Sequence, residues 1–353
     1  MLTDIFANRY IATPMWESFG EPERRFIVQG FRIVSEQLFP YWYDGKENPR
    51  TKHNWLSIHD KLSMELGLKE LSPKYYSYQT TWNGKPFTQS GSLSLDKVCE
   101  SFVCANYSPT IPSDLFIKER TSFIEIAFRE REEELKVINR ELPKKIQEAL
   151  IQDKTIPPNR FLRVPGSRVD GVKAYNEKLN NDFQNSANEL NERMRQAGFK
   201  LNYHNGFIQI STDQLIEDQI EKAFWLIVND DTWKNVDVDM KEAIDRRDNN
   251  DRDPAFYAAR ALESAIKIIS ENKGWTHGGE KGAHNYIDNL ISKKNGSFIT
   301  TWEGKVLKDY FTIVRNPFGH GPGSADMPEL SIQQTNWAIE TCMSWIKSLI
   351  KRM

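Results

Sequence analysis

Cysteine is scarce in this chain: three among 353 residues, Cys99, Cys104 and Cys342. The odd count and the absence of metal-ligand spacing exclude a disulfide-rich scaffold and give no cysteine zinc site. They suit small core residues in a reducing cytosol. Net charge is also small, formally −2, so the molecule is not a polycation and any nucleic-acid binding must come from a local patch. No window approaches about eighteen consecutive apolar residues, the length a membrane helix needs. The opening M-L-T-D-I-F-A-N-R-Y has no basic region leading into an apolar core. The sequence therefore predicts neither a membrane span nor a signal peptide, and a cytoplasmic protein. A phosphate-binding P-loop, a dinucleotide fingerprint, a G-x-S-x-G elbow and internal repeats are all missing, and with them the chemistries those motifs carry.

What is present describes a folded, mainly α-helical protein. Hydrophobic residues make up 39% and aromatics 12%, and the length fits two domains. Phe26, Ile27, Gly30, Phe31, Val34, Leu38 and Phe39 recur at helical steps. Pro40 and the run from Asp44 to Pro49 end that element, and Trp55 to Leu66 reads as another helix. The Tyr-, Thr- and Gly-rich stretch from Ser72 to Ser94 reads as irregular, with Asn83-Gly84 as a turn and room for a short hairpin. A helix is expected around Asp96 to Ala105. From Ser113 a long helix follows, whose run R-E-R-E-E-E reads as a solvated face. We place a mostly helical N-terminal domain at residues 1–150. Residues 151–211 follow as linker, helix and β-hairpin, and 212–353 as a helical bundle.

The stretch from Lys154 to Arg168 carries four positive charges, no acid and three prolines. It reads as a solvated loop or as an arm reaching for an RNA backbone. Asn205-Gly206, between two short alternating runs, predicts a type I′ hairpin with a structural His204 beside the turn. In the bundle, Pro254 to Ile269 shows the cleanest stripe, through Ala258, Ala261, Leu262, Ala265, Ile266 and Ile269, with Asp253 as N-cap before Pro254. Helices are also expected over Asp218 to Val228, Ala283 to Ile291, Gly304 to Val314 and Pro328 to Ile350.

The chemistry concentrates in V-R-N-P-F-G-H-G-P-G, Val314 to Gly323. Arg315 supplies a permanent planar cation for phosphate, and His320 can exchange a proton near neutral pH. Pro317 should stop the preceding helix near Arg315 and push Asn316 toward an extended conformation, so that the chain bends and His320 swings back. Spacing alone favours a structural role, with Arg315 paired to a carboxylate and His320 capping a helix. Glu263 and Lys267, four apart on one helix face, read as an ordinary ion pair or as groups near the same cleft. His277 and His284 lack the partners for a zinc site, and no metal or other cofactor is expected.

R-N-P-F-G-H resembles the hallmark of the HEPN superfamily of small helical bundles: an arginine, a polar residue, and a histidine four to six residues on. The helix A-R-A-L-E-S-A-I-K-I-I-S and the hairpin N-Y-H-N-G-F-I-Q-I-S are similar to the AbiJ-type abortive-infection branch. M-L-T-D-I-F and F-R-I-V-S-E-Q-L-F-P resemble one of the N-terminal domains found in such proteins, expected to regulate or sense. The resemblance implies a metal-independent endoribonuclease of bacterial antiphage defence. Its partner would be RNA, transfer RNA being one option, and it would pair as a homodimer through the C-terminal bundle. The implied catalytic set is Arg315, Asn316 and His320, with Glu263 and Lys267 supporting it or touching RNA. The alternatives are a non-catalytic RNA- or nucleotide-binding module in a defence or toxin–antitoxin complex, and a helical interaction protein.

Overall fold

A computed structural model describes residues 4–82, 85–155, 167–211, 220–319 and 329–353. The fold is mainly α, as the periodicity predicts, and divides into two compact units, Met1–Ile208 and Gln209–Met353. Among the described residues no helix is long and apolar enough to cross a membrane.

The first unit holds α1 (Phe6–Arg9), α2 (Glu21–Arg32, running into a π-turn over Ile33–Leu38), a small hairpin of β1 (Trp42–Tyr43) and β2 (Lys46–Glu47), and α3 (Pro49–Glu65). Then come β3 (Tyr75–Trp82), β4 (Lys85–Ser92), α4 (Leu95–Val103), α5 (Ser113–Thr155) and α6 (Ser167–Gln196). Strands β5 (Leu201–His204) and β6 (Phe207–Ile210) close the series, β6 carrying the chain into the second unit. The unit runs beyond residue 150 to Ile208 because α6 packs along α5. The α2 stripe is buried as its spacing predicts, and Phe26, Phe31, Trp55 and Phe123 share one core. Asn205 and Gly206 both take the left-handed backbone that a type I′ turn requires, and His204 is buried in β5.

Two expectations are corrected here. The stretch from Ser72 to Ser94 is regular: β3 and β4 pair antiparallel in eight-residue register, from Tyr75 opposite Ser92 to Trp82 opposite Lys85. Asn83-Gly84 lies outside the described residues, as does most of the Lys154 to Arg168 stretch. The run Arg129 to Glu134 is not a solvated face, for only Glu133 is exposed. Buried Glu132 accepts from the Tyr203 hydroxyl at 2.7 Å, and Glu130 is bound by Ser57 and Lys61. One turn earlier Glu125 is fully buried; Arg9 donates to both of its oxygens, and Arg129 donates to Oε1 at 2.8 Å. The Ile208 amide donates to the same carboxylate at 2.7 Å. The two guanidinium groups also sit 4.7 and 4.5 Å from the centre of the Phe207 ring. A helix of strong formers tolerates such charges only because every one has a partner.

The second unit holds α7 (Lys222–Val228), α8 (Lys234–Asp248), α9 (Pro254–Asn272), α10 (Ala283–Ile291), α11 (Thr301–Tyr310), a π-turn over Phe311–Arg315, α12 (Asn316–Gly319) and α13 (Ile332–Ile350). Helix α9 is central, packing against α8, α10 and α13. Asp253 occupies its cap position, but with φ 64° and no side-chain cap bond; its carbonyl accepts from the Phe256 amide instead. Thr300 and Glu303 form a capping box at α11, and Arg352 donates to Glu303 at 2.7 Å. Gly304 lets α11 lie against α10, since a Cβ there would meet Ile291 Cδ1 at 2.1 Å. At the other end the Tyr310 hydroxyl donates to the Ala338 carbonyl at 3.1 Å, fastening α11 to α13. Cys342 beside it is buried, and burial pushes its thiol up to about 12.

Removing one member of the Glu125 cluster leaves buried charge uncompensated. Glu125→Ala should therefore cost about 3–5 kcal/mol in urea unfolding, whereas Arg24→Ala, at an exposed pair with Glu21, should leave the unfolding midpoint nearly unchanged. Arg352 first, then the Thr300 donors, hold the Glu303 carboxyl down at about 2, below its ordinary 4.5. That stabilisation is complete above about pH 4.5 and is lost as pH falls toward 2. The stability gap between wild type and Glu303→Gln, followed by chemical denaturation, should close over that window and stay constant at neutral pH.

Candidate functional site

Helix α9 divides its surface. Its alanine and isoleucine stripe faces the core, and Arg260, Glu263, Ser264 and Lys267, at steps of three and four, form one outward row. Along α8, Asn235, Val238 and Asp239 make a similar row. Between the rows lies an open groove of about 430 Å³, with Arg315 reaching in from the π-turn.

The helix does not stop where the sequence predicts. Asn316 is helical at φ −64° and ψ −35°, and α12 continues through Pro317 to Gly319. The π-turn explains this. The Asn316 amide bonds back five residues to the Phe311 carbonyl, and the widened turn makes room for the Pro317 ring, which would otherwise strike the carbonyl four residues back. Arg315 is the last residue of that turn. His320 lies outside the described residues.

Three of the residues singled out in the sequence meet around one carboxylate. Glu263, only 12% exposed, holds Lys267 at 2.8 Å and Arg315 at 3.6 Å. Arg315 also donates to Asn316 Oδ1 at 3.4 Å, and its guanidinium lies 5.3 Å from the Phe256 ring. Its Nε is buried and has no hydrogen-bond partner among the described residues. Lys267 lies 5.7 Å from the Tyr286 ring.

A second ion pair, unread in the sequence, lines the same groove. Arg260 donates to Asp239 at 2.6 Å, and burial pushes the Asp239 carboxyl up while Arg260 pulls it down. Arg260 and Arg246 stack on Tyr257 at 5.1 and 4.3 Å. The polar row opposite the apolar stripe of α9 was visible in the spacing and would have found Arg260. Asp239 was not, because it sits on another helix. Three cations, Arg260, Lys267 and Arg315, face two carboxylates, so the groove keeps an excess of positive charge and fits an anion. His284 is elsewhere, its Nε2 within 3.2 Å of the Lys308 carbonyl. Among the described residues no group of three His, Cys, Asp or Glu side chains is placed to hold a metal ion.

Searches of curated proteins and of solved structures return no match. The family model for AbiJ N-terminal domain 4 matches residues 4–226, which takes in the whole described part of the first unit and most of α7, and ends before the groove. With more than half of its length matched, the chain belongs to the AbiJ N-terminal domain 4 family.

Proposed function

We propose that this chain is a metal-independent endoribonuclease of abortive-infection defence. The AbiJ-type domain points to that defence. The convergence of Glu263, Lys267 and Arg315 on one open, net cationic groove carries the catalytic reading. In this reading the substrate's 2′-hydroxyl attacks the adjacent phosphorus. Arg315 stabilises the charge that builds on the non-bridging oxygens. Glu263 holds Arg315 and Lys267 toward the phosphate. His320 acts as general base or as the acid that protonates the departing 5′-oxygen, a role that imidazole chemistry suits near neutral pH. Asn316 orients Arg315. The products are a 2′,3′-cyclic phosphate and a 5′-hydroxyl.

The bundle also offers a surface for a second copy. Trp302, Val306 and Ile313 are exposed on α11 and its π-turn, and Ile332 and Trp337 are exposed on α13, Trp337 on the side away from the buried Ile339, Met343 and Ile346 and 6.1 Å from the Tyr310 ring. Such exposed apolar side chains support pairing of two bundles, with an Arg315 groove from each.

The protein is incubated with total bacterial RNA in excess EDTA, and product ends are mapped. Wild type should leave cyclic-phosphate ends. Arg315→Ala and His320→Ala should each lose at least about a hundredfold in rate. Equal cleavage by all three proteins would place the chemistry elsewhere. RNA binding with no cleavage by any of them would favour a binding module. In light scattering, Ile313→Asp with Trp337→Asp should shift a dimer to a monomer without altering the helical circular dichroism.

A further inference from the structure

The hairpin of β3 and β4 stands apart from the core of the first unit. Among the described residues neither strand pairs with a third. Both faces are exposed, and residues opposite one another in register share a face. The faces differ in chemistry. One carries Tyr76, Tyr78 and Thr80 with Phe87, Gln89 and Gly91 opposite them; the other carries Ser77, Gln79 and Thr81 with Ser90 and Thr88 opposite, and Tyr75 at its end. Aromatic rings therefore gather on one side, where Tyr78 and Phe87 are 51% and 53% exposed.

The two tyrosine rings, Tyr76 and Tyr78, are held in place. Tyr76 and Tyr78 stack at 6.0 Å with planes 24° apart. Tyr76 lies across Gly91, where a Cβ would meet its hydroxyl at 2.6 Å. The Tyr78 hydroxyl donates to Gln89 Oε1 at 2.8 Å. The result is a fixed, solvent-facing platform of ring faces.

Two observations select its occupant. The first is charge: from Leu71 to Leu95 there is no Asp or Glu, while Lys74 and Lys85 are present and exposed. A polyanion meets no repulsion there. The second is size. An eight-residue hairpin offers a face of about 26 by 10 Å, far below the roughly 800 Å² per partner of a stable protein interface. Two or three bases fit that area, and base stacking on aromatic rings needs no larger contact. We propose that the aromatic face of this hairpin, built on Tyr76, Tyr78 and Phe87, binds a short single strand of nucleic acid through its bases. The site lies in the first unit and is independent of the Arg315 groove.

The test is fluorescence anisotropy of labelled oligothymidine and oligouridine with the full chain, the second also with Arg315→Ala to remove the proposed cleavage. DNA lacks the 2′-hydroxyl, so failure of the ribonuclease reading leaves the oligothymidine arm intact. Wild type should bind single strands and not the matching duplex. Tyr78→Ala and Phe87→Ala should each weaken binding about tenfold, and Tyr78→Phe, which keeps the ring, should retain it. Circular dichroism of each variant checks that the fold is kept. Wild type that binds neither oligonucleotide would overturn the proposal. So would alanine variants that bind as wild type does, or a self-association that the alanine variants abolish.

Discussion

The second unit depends on how closely its helices can approach α9. The buried face of α9 is largely alanine: Ala255, Ala258, Ala259, Ala261 and Ala265 are at most 1% exposed. Small side chains let α8 and α13 come near, and the larger Met240, Ile244, Met343 and Ile346 then fill the space around them. A helix packed this tightly on three sides cannot roll. Its outward row of Arg260, Glu263, Ser264 and Lys267 is thereby fixed against the row on α8. The polar groove is a consequence of the apolar packing behind it.

The first unit solves a different problem. Its long helix α5 brings acidic residues into the core and neutralises them one by one. Glu125 takes two arginines and a backbone amide, and Glu132 takes a tyrosine hydroxyl. The arginines do double duty, since their flat faces pack on Phe207. Charged side chains with aromatic partners thus supply contacts that a purely apolar helix would make with leucines. Arg120, stacked on Phe102 and Phe116 at 4.3 and 3.7 Å, repeats the pattern nearer the start of α5.

Elements whose burial follows a simple period were legible in the sequence. The α9 stripe, the α2 stripe and the Asn205-Gly206 turn needed only local spacing and backbone preference. The R-E-R-E-E-E run misled because charge marks exposure only when no partner waits across the core. Ser57, Lys61 and Tyr203 lie far away in sequence. The β3–β4 hairpin was obscured for the opposite reason: both faces meet solvent, so the strands carry none of the aliphatic residues that mark a half-buried sheet, and the short alternation of Tyr76 and Tyr78 with Ser77 and Gln79 sits among turn-forming residues. At the site, Arg315, Glu263 and Lys267 were readable as residue types at suggestive spacings, and the groove that unites them required the fold. Asp239 had no sequence mark at all.

The π-turn over Phe311–Arg315 also changes how length should be understood in this segment. A π-turn contains one residue more than the α-turn it replaces, and each residue of an α-helix advances the helical phase by about 100°. The short helix α12 is therefore set at an angle that an uninterrupted helix would not reach. The segment works as a phase adjuster, with its extra residue deciding which way Arg315 and Asn316 face. Chain length between Tyr310 and Pro317 is thus itself an informational feature: deleting one residue ahead of Arg315 would turn that guanidinium away from the groove while leaving every side chain of the motif in the sequence.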